Sequence, residues 1–166
     1  MRKKLKREQF DEAVRMMAER CIAVQLRLLT RAISKIYNSA LRDFDVTVSQ
    51  MNILVAVSYM RQAKQQDVCD ALLLDRSSLS RDIERLLARD WLSARPGDDA
   101  RTSLLALTAK GRRLLEEIIP AWETAQREAS ELIGPEHQDA MIQSTKAIRR
   151  NRQTVNGEWG KSGENR

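Results

Sequence analysis

Ser77, Ser78, Ser80, Arg81 and Arg85 crowd into one short stretch of the chain. Hydroxyls and guanidinium forks at this spacing do recognition chemistry. Arginine pairs with phosphate or with guanine edges, and serine permits close approach to a polynucleotide. The same stretch offers little for bond-breaking. The chain has one histidine and two cysteines. No nucleophile–base pair, paired carboxylate site, phosphate loop or metal-ligand spacing is legible in it. An enzyme is disfavoured, and neither a cofactor nor a metal is expected.

These groups need a helix to present them. Leu79, Ile83, Leu86 and Leu87 recur at i, i+4, i+7 and i+8, so the spacing predicts a helix with this stripe inward. Ser77, Ser80, Arg81, Glu84 and Arg85 then face out, and Asp75 is placed to cap the first turn. Taken alone, this is equally an ordinary solvated amphipathic helix. Its neighbours favour the other reading. Val68, Ala71 and Leu72 form the inner side of a short helix just upstream, at helix-turn-helix spacing. Downstream, Trp91 to Ala94 and Ser103 to Leu107 are β-prone runs joined by a loop containing Pro96-Gly97-Asp98, which is turn chemistry. Arg95 and Arg101 make that loop basic. A hairpin directly after such a helix predicts a winged helix-turn-helix.

The stretch from Leu74-Asp75 through Ser78-Leu79-Ser80-Arg81, Asp99-Ala100-Arg101 and Leu107-Thr108-Ala109-Lys110-Gly111 resembles the MarR family of bacterial transcription factors. The pieces match the family's recognition-helix start, its wing Asp-x-Arg and its Leu-Thr-x-x-Gly entry to the next helix. Val48-Ser49-Gln50 with Ile53-Leu54 resembles its second helix. Leu73 and Asp90 depart from the pattern, standing where the family usually has glycine. The resemblance, over roughly residues 20–150, implies a mainly α fold. A winged helix-turn-helix with a two-stranded β wing is flanked by N- and C-terminal dimerisation helices. It also implies a homodimer that pairs through those terminal helices, and a small aromatic or phenolic effector or a cysteine-based oxidant sensor.

Charge is segregated. Net charge is +6 overall. The first ten residues, the helix and wing over 75–114, and the C-terminal stretch from 146 are each basic, whereas 115–145 is acidic. This suggests a DNA-facing side and an acidic side turned away. No run approaches a membrane span. Two cysteines without a spacing pattern agree with a reducing, cytoplasmic setting. Cys69 reads as a small structural residue under the helix-turn-helix. Cys21 lies two residues before the position at which peroxide-sensing relatives keep their cysteine, so it reads as a packing residue.

Residues 1–150 are expected to form one domain. A long N-terminal dimerisation helix occupies 9–46, the winged helix-turn-helix 47–111 and the C-terminal dimerisation helices 112–150. A flexible tail covers 151–166 and includes Trp159. The apolar surface of the terminal helices exceeds what so small a winged helix can cover, which calls for a second copy. The function expected is a homodimeric repressor that binds a pseudo-palindromic operator in double-stranded DNA and is released by an effector. Alternatives are a winged-helix protein-interaction module and a thiol-based redox-sensing regulator. Arg81 and Arg85 are assigned to guanine edges or phosphates, Ser77, Ser78 and Ser80 to close contacts, and Gln65 and Gln66 to phosphate. Arg101 is assigned to the minor groove or its edge, with Asp99 orienting the wing. Singly, each is as well explained by a solvated side chain or an exposed ion pair.

Overall fold

The periodicity that predicts one long N-terminal helix is interrupted at Cys21. In the computed structural model, which describes residues 6–97 and 103–159, α1 (Arg7–Arg20) ends there and α2 (Ile22–Ala40) begins. Cys21 is extended, and its N–H still bonds the Met17 carbonyl at 3.3 Å. The Gln25 side-chain amide donates to the Glu19 carbonyl at 3.0 Å, giving one of the orphan carbonyls of α1 a partner. Neither proline nor glycine marks the break, and nothing in the sequence explains it.

The chain divides between Ile36 and Tyr37 into two compact units. The first consists of α1 and α2 as far as Ile36, and none of its helical residues is buried. Phe10, Met17, Ile22, Leu26 and Leu28 are all more than half exposed.

The second unit holds the winged helix. A 3₁₀ turn, Arg42–Phe44, leads to α3 (Val48–Met60). Thr47 caps α3 by accepting from the Gln50 N–H, and the Gln50 side chain reaches back to the Thr47 N–H at 3.1 Å, a reciprocal capping box. Met51, Ile53, Leu54 and Val57 are buried because α3 packs against several elements at once: α4 (Gln65–Leu72), α5 (Arg76–Ala88), β3 (Ser103–Leu107) and α6 (Ala109–Ile133). The stripe Leu79, Ile83 and Leu86 on α5 is buried as its spacing predicts. Leu87 packs against the core from its margin.

The sheet has three strands, one more than expected. β1 (Ala63–Lys64) pairs antiparallel with β3, which pairs in turn with β2 (Leu92–Pro96), in the order β1-β3-β2. A two-residue strand carries no periodicity, so only its pairing of Ala63 with Leu105 reveals it. Trp91, expected to open the first wing strand, precedes β2 and is buried instead.

Thr108 caps α6, which continues through Pro120 as one helix to Ile133, and Gly134 in a positive-φ conformation ends it. The last helix, α7 (Pro135–Trp159), runs well past the end expected at Arg150. The tail reading of 151–159 is thus corrected. No proline follows Pro135, and Gly157 costs only about 1 kcal/mol inside a helix, which does not break it. Among the described residues, no helix is long and apolar enough to cross a membrane.

Candidate nucleic-acid interface

α5 presents the assigned side chains because its opposite face is anchored. Ser77, Ser78, Arg81 and Arg85 are exposed, and Ser80 is half-buried. Arg81 forms no ion pair or hydrogen bond with a described residue, so all five of its donors face solvent. Arg85 reaches Asp82 Oδ1 at 3.4 Å, and Asp82 Oδ2 accepts from the Ser49 hydroxyl at 3.1 Å, which ties α3 to α5 beneath that arginine.

The serines are less free than the sequence suggests. Asp75 Oδ1 accepts from the Ser77 hydroxyl at 2.6 Å and from the Ser78 N–H at 2.8 Å, while Oδ2 accepts from the Ser78 hydroxyl at 2.9 Å. The Ser77 hydroxyl, followed by the backbone and hydroxyl of Ser78, holds the Asp75 carboxyl well below the usual carboxylate range. The two O–H groups therefore point at the cap, and their lone pairs face outward. In this state they can accept from base amino groups but cannot donate to phosphate. Ser80 donates to Glu84 Oε1 at 3.3 Å.

Gln65 and Gln66 are exposed in the first turn of α4. The Lys64 N–H at the start of that helix is satisfied by Asp67 Oδ2 at 3.0 Å. Gln66 is engaged with Arg76, the first residue of α5, to which the sequence reading gave no role. In the wing, the strand pairing extends to Pro96 opposite Ser103. Asp99 and Arg101 lie outside the described residues.

The wing is held at its base to the segment that follows α5. The Thr108 hydroxyl donates to the Asp90 carbonyl at 2.6 Å and accepts from the Gly111 N–H at 2.9 Å. Its own N–H bonds the Trp91 carbonyl at 3.2 Å. A Cβ on Gly111 would lie 2.1 Å from that carbonyl oxygen, so only glycine lets α6 pass so close. The Leu-Thr-x-x-Gly motif is thus a joint between the end of α5, the wing and α6. Leu73 and Asp90, the two departures from the glycine pattern, both adopt left-handed backbone, at φ 55° and 57°. Lys110 Nζ donates to the Arg89 carbonyl at 2.9 Å.

Of the cysteines, Cys69 is buried, as expected of a small structural residue, and Cys21 is half-buried at the α1–α2 break.

Comparison with known proteins agrees with this architecture. Residues 44–102 match a family model described as MarR family. An uncharacterised HTH-type transcriptional regulator of Bacillus subtilis, YwoH, is 29% identical over 94 residues, spanning 57% of this chain and 69% of that relative. Among solved structures, the Mycobacterium tuberculosis regulator MOSR in complex with DNA is 25% identical with a TM-score of 0.69, covering 80% of this chain and 98% of its own. BpsR of Bordetella bronchiseptica, whose DNA binding is regulated by 6-hydroxynicotinic acid, is 26% identical with a TM-score of 0.68, covering 76% and 97%. Motif, joint and architecture agree: residues 44–102 match the MarR family model, and the fold is similar to that of regulators of known structure.

Proposed function

We propose that this chain is a homodimeric, DNA-binding repressor that is released from a pseudo-palindromic operator by a small aromatic effector. The observation that carries the DNA assignment is the outward face of α5. Arg81 and Arg85 stand one helical turn apart on it, while the opposite face is locked by Leu79, Ile83 and Leu86. α5 enters the major groove in this reading. Arg81 and Arg85 reach base edges or phosphates, Ser77, Ser78 and Ser80 make close contacts, and Gln65 lies toward the backbone. Arg101 follows the minor groove, with Asp99 steadying the wing. The DNA-bound relative MOSR supports this assignment, and BpsR supports a small aromatic effector.

Dimerisation follows from uncovered apolar surface. Phe10, Met17, Ile22, Leu26 and Leu28 in the first unit, and Trp122, Leu132, Ile142 and Ile148 in the second, are exposed. Pairing through segments 9–46 and 112–150 covers them and sets two recognition helices about one DNA turn apart (~34 Å). The cytoplasm is the compartment such a regulator works in.

Selection from a random duplex pool tests the reading. It should return a sequence with two half-sites one turn apart, and Arg81→Ala should lose the preference at about 1–3 kcal/mol per contacted base pair while keeping the fold. Recovery of no preferred sequence by the intact chain, or sedimentation as a monomer, would contradict it.

A further inference from the structure

Gln66 on α4 and Arg76 on α5 are locked together. Arg76 Nε and Nη2 both donate to Gln66 Oε1, at 3.0 and 2.7 Å. Gln66 Nε2 in turn donates to Asp70 Oδ1 at 3.0 Å. The amide is therefore oriented from both ends, its carbonyl toward the arginine and its NH2 toward the carboxylate. Gln66 keeps one N–H for any other partner, whereas Arg76 keeps three.

Arg76 does not share the face of Arg81 and Arg85. At about 100° per residue it lies roughly 140° and 180° around α5 from them. It is drawn instead toward a cleft of about 370 Å³, lined also by Lys64, Gln65 and Ser103. The cleft's described lining includes two cations and no carboxylate. A guanidinium braced on one edge, with its other N–H groups free beside a lysine, matches a phosphodiester better than a base edge.

We propose that Arg76 is a DNA-backbone contact that takes one phosphate together with Lys64, and that Gln66 and Asp70 act as positioning residues for it. This rests on the DNA-binding reading above. It reassigns Gln66, which acts through Arg76 and does not touch phosphate itself.

The test uses the full-length chain and its selected duplex, titrated across a salt series. Arg76→Ala should weaken binding roughly tenfold near physiological salt. It should also flatten the log–log salt slope by about one, with the preferred sequence unchanged. Gln66→Leu should cost less, and should cost nothing further in an Arg76→Ala background. Arg76→Lys, which keeps the charge but cannot fork onto the amide, should keep the slope and make Gln66→Leu silent as well. Both side chains are exposed, so melting curves should match the wild type.

Unchanged affinity and slope in Arg76→Ala would overturn the proposal, as would an altered preferred sequence. So would a Gln66→Leu loss that persists without Arg76. In each of these cases a wild type that binds, and an Arg81→Ala that loses specificity, would leave the broader reading standing. A folded wild type that binds no duplex would overturn both.

Discussion

Arg89 holds Asp45 twice, donating through Nη2 to the carboxylate and through Nη1 to the backbone carbonyl, both at 2.6 Å. The guanidinium also lies 4.9 Å from the centre of the Trp91 ring. The end of α5 is thereby fastened to the turn that precedes α3. The carboxylate is well exposed, so its share should be under about 1 kcal/mol. Asp45→Asn, which keeps a residue tolerant of the left-handed backbone at this position, should show that small loss. Arg89→Ala also removes the carbonyl and ring contacts and should cost about 1–2 kcal/mol. Urea denaturation of the two variants decides it, and equal losses would mean those contacts contribute nothing.

Asp75 gives α5 a pH-dependent start. Its carboxyl titrates below the ordinary range when folded, so its stabilisation is complete above the unfolded carboxyl pKa of about 3.9. The contribution is lost as pH falls through the lower, folded value. Asp75→Ala should thus be less stable than wild type across pH 5–8, with a constant difference. That difference should shrink only below about pH 4. A gap that already changes between pH 6 and 8 would mean that another group controls the cap.

Two of the left-handed residues, Leu73 and Asp90, should respond oppositely to glycine. Asp90→Gly relieves roughly 1 kcal/mol of backbone cost at an exposed position, against an entropic loss of about 0.4–1 kcal/mol through the unfolded chain. A gain of up to about 0.5 kcal/mol is expected. Leu73 is half-buried, so Leu73→Gly also forfeits about 1 kcal/mol of burial and should be neutral or destabilising. A clear gain at Leu73 would show that its side chain packs against nothing useful.

Gly111→Ala should reverse the usual helix rule. Alanine in place of glycine within a helix ordinarily gains about 1 kcal/mol. Here the new methyl would meet the Trp91 carbonyl at 2.1 Å and Leu107 Cδ1 at 2.9 Å. Forcing α6 away from the wing should cost roughly 1–3 kcal/mol net. A thermal midpoint at or above that of the wild type would refute this close approach.

Features written in local chemistry were legible in the sequence. Asp75 caps the helix it precedes, and the Leu79–Ile83–Leu86 stripe is the buried face of α5. The same holds for the exposed arginines of α5. What escaped depends on pairing between distant positions. β1 exists because Ala63 lies opposite Leu105, and Arg89 meets Asp45 across 44 positions. Gln66 and Arg76 have no spacing signature, since they sit on different helices joined by a turn. The α1–α2 break at Cys21 has no breaker residue to announce it. The excess length of α7 was hidden by a polar composition that reads as tail.

The unequal strands of the sheet divide its response to solvent exchange. Leu104 and Leu105 lie between two partner strands, Lys64 and Ala63 on one side and Arg95 and Ala94 on the other. Backbone protons in this row are released only when much of the domain opens. Toward the distal end, Ser103 has Pro96 alone across from it, and proline brings no N–H to the ladder. That last pair can separate while the row at Leu105 stays closed. The wing therefore has a root whose exchange clock is that of the core, and an outer end that keeps faster time of its own.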